Sequence, residues 1–253
     1  MEKIMQLAKI IWRSINFGIV MASKVWSTFL ARKSDGSQIK LRIEEMPSNR
    51  LDDVLNLFSV YAAKEDIFVK LLEIPKNPEA VKEMKQSTRE MLNAGPHNIV
   101  ICRPDDNNSK DIIGASIIGI TLAKDKLEDF QVPTKTKEME KLWEYYIKLY
   151  SLYDLCKAQS LTSYYDERGQ VVIPGYVDID IRKELLNVRR KICKENNVTV
   201  TGGWMHSKEA QEAAEADGWQ TAYEVSREQL EKLLGISISG GPLLWKFMFA
   251  KPL

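Results

Sequence analysis

The chain has 253 residues, of which 44% are hydrophobic and 28% are charged, which is enough apolar material for the core of one large α/β domain. Its 36 Lys and Arg against 35 Asp and Glu leave a net charge of +1, which gives no electrostatic case for a nucleic-acid partner. Two histidines exclude a multi-histidine metal site, and three cysteines without a paired spacing favour a reducing compartment, so we expect a cytoplasmic protein without a metal.

The first twenty residues mix apolar and charged side chains. The charged residues that interrupt the apolar ones are Glu2, Lys3, Lys9 and Arg13. Because no uncharged run reaches the roughly 18 residues that a bilayer requires, we expect no membrane span here. The pattern favours an amphipathic surface helix or a disordered extension over residues 1–24, with a membrane-surface or targeting helix as the alternative. A single domain is then predicted for residues 25–253.

Apolar periodicity and turn residues predict alternating elements in the first part of the domain. In chain order these are a strand at 38–45, a helix from Leu51 to Phe58, helices at 66–72 and 78–92, a hairpin of strands at 98–102 and 112–122, and a helix at 137–156. The last helix carries Trp143, Tyr146 and Tyr150 at helical spacing. These aromatic side chains are typical of core packing, and stacking on an aromatic ligand is the second interpretation.

The second part of the chain continues the alternation. Strands are predicted at 171–173, 198–201, 221–225 and 245–250, and helices at 181–192, 208–216 and 226–234. Ser226 followed by Gln229 is a capping-box pattern that opens the last helix. Strand–helix alternation of this kind indicates an α/β fold, with helices layered on a sheet.

Five stretches of the last ninety residues resemble the insect arylalkylamine N-acetyltransferase-like branch of the GNAT superfamily. They are GQVVIPGY (169–176), RKELLNVRRKICKENN (182–197), VTVTGGWM (198–205), AQEAAEADGWQTAYEV (210–225) and KFMFAKPL (246–253). The resemblance implies a three-layer α/β/α fold with a mixed sheet. It also implies an acetyl-CoA-dependent N-acetyltransferase, a monomer or weak homodimer, that acetylates a small primary amine by direct attack. The alternative is a catalytically inactive GNAT-fold protein that binds a metabolite or a partner.

The resemblance also assigns a coenzyme site. The strand residues Val171, Val172 and Ile173 would bind the pantetheine arm. The loop and helix start that follow would bind the diphosphate through backbone N–H groups, with the matching residues Val177, Asp178, Ile179, Asp180, Ile181, Arg182 and Lys183.

The diphosphate segment departs from the family pattern, which is Arg or Gln, two residues, Gly, one residue, then Gly or Ala. Val177 stands in the place of the Arg, Asp180 and Arg182 replace the two small residues, and Asp178 replaces a frequent glycine. A carboxylate at a helix start caps the N–H groups itself and repels a phosphate, whereas Arg182 and Lys183 restore part of the positive charge. The sequence therefore leaves open whether acetyl-CoA binding is weakened or lost.

The resemblance places the catalytic base on a carboxylate early in the chain. Asp66 aligns best and Glu65 lies one residue away, although an acidic first turn of a helix explains both equally well. Ser207 is either a helix N-cap or a proton relay, and His206 beside it is either a proton-transfer group or, as is commoner, a partly exposed histidine. Ala214 stands where many GNAT enzymes have a tyrosine acid, so that acid is absent or lies elsewhere.

Overall fold

A sheet of eight strands runs through the part of the chain that the computed structural model describes, residues 23–62, 65–106, 108–126 and 132–253. The strands are β1 (Val25–Arg32), β2 (Gln38–Glu45), β3 (His97–Pro104), β4 (Gly114–Leu122), β5 (Ser163–Val172), β6 (Thr201–Met205), β7 (Gln220–Ser226) and β8 (Leu244–Ala250). They lie in the order β1-β2-β3-β4-β5-β6-β8-β7. All neighbours are antiparallel except β5 and β6, which are parallel, so the sheet is mixed.

Helices connect these strands. The α-helices are α1 (Leu51–Leu57), α2 (Ile67–Leu71), α3 (Pro78–Ala94), α4 (Lys137–Tyr150), α5 (Leu155–Gln159), α6 (Asp178–Glu195), α7 (Lys208–Ala216) and α8 (Arg227–Leu234). A π-helical turn, Phe58–Ala62, continues α1. No helix of the described ranges is long and apolar enough to cross a membrane.

Helices cover both faces of the sheet. On one face, α6 buries Ile181, Leu185 and Val188 against β2 to β5, and α7 buries its alanines against β6 and β8. On the other face, α2, α4 and α8 pack on β6 and β8, and α1 packs on β3 to β5. This three-layer arrangement confirms the predicted α/β/α fold class.

Several element boundaries differ from the sequence prediction. The helix predicted to reach Cys156 ends at Tyr150, and the short helix α5 follows it. Asp154 is the N-cap of α5, and its carboxylate accepts the backbone N–H of Lys157. The strand predicted at 171–173 is the end of the longer β5, and the strand predicted at 198–201 begins at Thr201.

The first strand was not predicted at all. β1 is an edge strand with a mixed, largely half-exposed burial pattern, so it shows no clean alternation of apolar residues. The extension predicted over residues 1–24 lies outside the described residues up to position 22.

Candidate functional site

The sheet opens between β5 and β6. These strands pair at only two positions, Tyr165 with Thr201 and Asp166 with Gly202. The pairing of β5 with β4, in contrast, continues to Val172. Beyond Asp166 the two parallel strands therefore diverge and leave a gap in the middle of the sheet. The divergence begins several residues before the strand end 171–173, to which the resemblance assigns the pantetheine arm.

A β-bulge shapes the open part of β5. The register with β4 shifts between Gly169 and Glu167, so Arg168 is the extra residue. Gly169 has φ +143°, and a Cβ at this position would lie 2.7 Å from Cε1 of Phe58. The bulge therefore requires glycine and lets the Phe58 ring rest directly on the strand.

A cavity of about 280 Å³ lies at the opening. Its apolar wall contains Leu55, Phe58, Val69, Met84, Met91, Met139, Leu142, Trp143, Tyr146 and Tyr150, and its polar wall contains Ser59, Glu65, Asp66, Glu167, Arg168, Gln170, Arg182, His206 and Ser207. The aromatic residues of α4 lie between the core and the cavity. Tyr146 and Tyr150 pack against the core, and they also line the cavity together with Trp143.

Asp66 lies in the cavity wall as the N-cap of α2. Its Oδ1 accepts the backbone N–H groups of Phe68 at 2.8 Å and Val69 at 3.0 Å, and its Oδ2 accepts the hydroxyl of Tyr146. Three hydrogen-bond donors therefore hold the carboxylate in place. Asp66 is a helix N-cap, as one interpretation expects, and it also lines the cavity.

Ser207 is likewise both a helix N-cap and a residue of the cavity wall. Its hydroxyl caps α7 by accepting the N–H of Ala210 at 3.1 Å, and the residue lines the cavity. His206 stands next to it, with its ring centroid 6.1 Å from that of Tyr146 and 5.6 Å from that of Trp245. The three predicted catalytic residues Glu65, Asp66 and Ser207 thus converge on one cavity, while Ala214 is buried in the core.

Glu65 forms an ion pair with Arg182. The two side chains meet at 2.6 Å, and Nε of Arg182 also lies 2.6 Å from Oδ1 of Asp178. The Arg182 side chain is 5% exposed although it belongs to the first turns of α6. Partial burial raises the pKa of Glu65, and the guanidinium of Arg182 opposes that shift. We call these three residues the Arg182 bridge.

The loop before α6 is tied to the first hairpin. The N–H of Val177 donates to the carbonyl of Arg32 at 2.8 Å, and the N–H of Ser34 donates to the carbonyl of Gly175 at 3.0 Å. The guanidinium of Arg32 makes two hydrogen bonds of 3.0 Å to the carboxylate of Asp180 and holds the pKa of that carboxyl below its usual range. One backbone donor at the start of α6 and the Asp180 side chain are therefore already paired within the protein.

The residues present do not fit the acetyl-CoA diphosphate that the resemblance implies. Asp178 and Asp180 bring two carboxylates to the first turn of α6, where the helix dipole would favour a phosphate. Arg182 lies at the same helix start and directs its charge to Glu65 and Asp178. The other residues assigned to the coenzyme are placed as follows: Val171, Val172 and Ile181 are buried, Ile173 and Ile179 are half-buried, and Lys183 is exposed.

A buried ionic network under the opening was missed by the sequence analysis. Asp166 pairs with Arg168 at 3.0 Å, and Arg189 pairs with Glu167 at 2.6 Å. Arg189 is fully buried and also donates to Thr201 Oγ1 at 3.1 Å and to the carbonyl of Gly202 at 3.0 Å. Burial raises the pKa of Asp166 to about 6. The signal available in the sequence was the run of charged residues 166–168 directly before the strand predicted at 171–173.

Comparisons with known proteins give the fold a name. No family model and no curated protein matches the sequence. Among solved structures, the Aedes aegypti protein assigned as arylalkylamine N-acetyltransferase 7 superposes with a TM-score of 0.75 at 17% identity, over 92% of this chain and 96% of that one. Arylalkylamine N-acetyltransferase 2 of the same mosquito gives 0.64 at 14% identity, over 83% of this chain and 98% of that one.

A third similar structure is the C-terminal condensation domain of Ebony in complex with β-alanyl-dopamine, with a TM-score of 0.63 at 10% identity, over 84% of this chain and 99% of that one. At these identities the likeness concerns the fold and does not extend to an activity. The chain has the fold of the GNAT N-acetyltransferases, and insect arylalkylamine N-acetyltransferases are among its structural neighbours.

Proposed function

We propose that this chain binds a small aromatic amine in the cavity between β5 and β6 and no longer transfers an acetyl group from acetyl-CoA to it. The observation that carries the proposal is the contrast between the two halves of the site. The cavity is lined by aromatic side chains and the Asp66 carboxylate, whereas two acidic residues and the ion-paired Arg182 stand at the start of α6 where a diphosphate would bind.

The cavity suits an aromatic ring with a short amine arm. Phe58, Trp143 and Tyr146 offer ring faces, and three methionines add adaptable apolar surface. A carboxylate has about four lone-pair sites, and Asp66 uses three of them, so one remains for an ammonium. A structural neighbour that holds β-alanyl-dopamine supports the size and chemistry of such a ligand.

The donor half lacks what a diphosphate requires. A phosphate at a helix start needs free N–H groups and close backbone approach, which glycine provides. Asp178, Asp180 and Arg182 put side chains at these positions, and two of the three are acidic. The coenzyme would have to displace a buried arginine from two carboxylates and then lie beside both of them.

N-acetyl transfer to the same amine is the second candidate. Two observations favour it. Glu65, Asp66 and Ser207 all line the cavity at the strand opening, and N-acetyltransferases are among the structural neighbours. Direct attack on a thioester needs an amine that has lost its proton and no protein nucleophile, so a carboxylate acting through water would suffice. In this case the Arg182 bridge must open before the donor enters.

Thermal unfolding with and without ligands separates the two candidates. We expect tyramine and dopamine to raise the melting temperature and ~1 mM acetyl-CoA to leave it unchanged, because stabilisation follows RT ln(1 + [L]/Kd). A parallel assay with radiolabelled acetyl-CoA should show no acetylated amine. Transfer above the uncatalysed rate that disappears in Glu65→Gln or Asp66→Asn would establish the second candidate, and no stabilisation by any amine would refute the first.

A further inference from the structure

An open groove lies at the edge of the sheet, where the described chain enters β1. It is lined by the start of β1, the last turns of α6 and residue 253, with the residues Lys24, Val25, Trp26, Lys191, Lys194, Glu195 and Leu253. Two of the apolar side chains are open to solvent, since Val25 is 48% exposed and Leu253 is 45% exposed. No described residue lines both this groove and the cavity, so what the groove binds is independent of the proposed function.

The groove carries more positive than negative charge. Lys24 pairs with Glu195, and Lys191 lies 3.7 Å from Glu184 on the same helix. Lys194 is exposed and has no ion pair within the part of the chain that the structure describes. Three lysines therefore stand against one glutamate in the lining, and Lys194 is free to meet an anionic partner.

Residues 1–22, which precede the described part of the chain, lead directly to this groove. Residue 22 is two positions before Lys24, which places it within about 7 Å of the groove lining. Apolar and polar residues of this segment each recur at intervals of three and four. The apolar series is Ile4, Leu7, Ile11, Ile15 and Ile19, and the polar series is Glu2, Gln6, Lys9, Arg13 and Asn16. The two series fall on opposite sides of a helix, so the sequence predicts an amphipathic one.

A helix of this kind is typical of the membrane interface. Its apolar side lies at the boundary of the acyl chains, and basic side chains on its polar side attract anionic lipid head groups. The segment holds Lys3, Lys9 and Arg13 against Glu2, so its net charge has the same sign as that of the groove. Like charge opposes packing of the segment on the groove, whereas a negatively charged surface is complementary to both.

We propose that this chain binds anionic lipid surfaces, with the apolar side of residues 1–22 in the interface and Lys191 and Lys194 against the head groups. Because α6 packs on β1, the two lysines stay beside the point at which the segment joins the domain. Binding of this kind is strongest when buried apolar area and attraction to anionic head groups act together. The segment supplies the first, and the groove adds to the second.

Co-sedimentation with lipid vesicles tests the proposal on the full chain. Vesicles of phosphatidylcholine with phosphatidylserine should bind the unaltered chain at least about tenfold more tightly than vesicles of phosphatidylcholine alone. Ile11→Ser with Ile15→Ser should abolish binding, because these changes interrupt the apolar series. Ile11→Leu with Ile15→Leu is the matched control, which keeps the series apolar and should keep the binding.

The lysines of the groove are tested separately. A basic residue near an anionic surface strengthens binding by roughly fivefold. Lys191→Gln with Lys194→Gln should therefore weaken binding on the order of tenfold, since Glu184 already offsets part of the charge of Lys191. The control is Lys157→Gln with Lys232→Gln, which makes the same change in net charge at exposed positions of α5 and α8, on the opposite face of the sheet. It should leave binding almost unchanged.

Three results would overturn the proposal. They are no sedimentation of the unaltered chain with phosphatidylserine vesicles, equal sedimentation with both kinds of vesicle, and equal weakening by the Lys191 and Lys194 changes and by their control. If the unaltered chain does not sediment and Ile11→Ser with Ile15→Ser lowers the melting temperature, the segment packs on the protein itself. Circular dichroism checks that each variant folds, and if the serine variant does not, the two lipid mixtures and the lysine variants still decide the question.

Discussion

Restoring the diphosphate loop should create acetyl-CoA binding. The variant replaces Val177 by Arg and each of Asp178, Asp180 and Arg182 by Gly, which recreates the Arg, Gly and Gly pattern of GNAT loops. It removes two carboxylates from the first turn of α6 and the Arg182 side chain that pairs with Glu65. The core face of α6 keeps Ile181 and Leu185, so the helix remains anchored to the sheet.

The size of the effect follows from charge. A carboxylate and a phosphate oxygen about 6 Å apart repel by about 3 kcal/mol at an effective dielectric constant near 20. Asp180 is paired with Arg32 and Asp178 with Arg182, so the net repulsion is smaller, about 1 kcal/mol for each. Removing both and adding an arginine should therefore strengthen acetyl-CoA binding by about 2–3 kcal/mol, or roughly 30–150-fold in Kd.

Isothermal titration measures this change, and circular dichroism checks the fold. The restored variant gains two positive charges overall, so the control is Glu73→Gln with Glu224→Gln, which gives the same net change at exposed positions that do not line the cavity. We expect binding by the restored variant alone. Equal gains in the two variants would show that bulk charge explains the effect, and no gain in the restored variant would refute the closed-loop argument.

Three other changes test the interactions around the site. Arg182→Ala should lower the free energy of unfolding at pH 7 by about 2 kcal/mol in urea denaturation, since it removes a buried guanidinium from two partly exposed carboxylates, and the loss for Arg32→Ala, whose guanidinium is exposed, should be clearly smaller; equal losses would contradict the bridge. Because the folded pKa of Asp166 lies at about 6, above its unfolded value of 3.8, this group contributes stability below pH 4 that is lost as the pH rises through 6. Asp166→Asn should remove that loss. Its free energy of unfolding, relative to that of the unaltered chain, should therefore rise by roughly 3 kcal/mol between pH 4 and pH 7, and a difference that does not change with pH would refute this. Gly169→Ala should destabilise the fold by about 2 kcal/mol or more in thermal unfolding, because of its positive φ and the Phe58 ring, and Phe58→Leu in the same chain should recover part of the loss; simple additivity of the two changes would contradict the clash.

The sequence predicted the layered fold because its strongest signals are local. The apolar face of α6 and the capping box at Ser226 are both observed, the latter with hydrogen bonds in both directions between Ser226 and Gln229. The edge strand β1 was missed because a strand that is half exposed on both faces lacks a period of two. The predicted limits of β5 and β6 were wrong, because the point at which these strands diverge depends on their hydrogen-bonded pairing and not on residue type.

The sequence selected candidate site residues but could not predict their contacts. Resemblance selected Glu65, Asp66 and the loop residues, and the end of a predicted strand selected Ser207. Glu65, Asp66 and Ser207 do line one cavity. The pairing of Arg182 with Glu65 joins residues 117 positions apart, and no local pattern indicates it. The same holds for Arg189, whose burial under the opening depends on partners in β5 and β6.

Titration of the unaltered chain with acetyl-CoA in a calorimeter tests most directly whether the Arg182 bridge closes the donor half of the site. The account predicts no saturable heat up to ~1 mM acetyl-CoA, while tyramine added to the same sample gives a saturable isotherm. Saturable binding of acetyl-CoA with a micromolar Kd would contradict it.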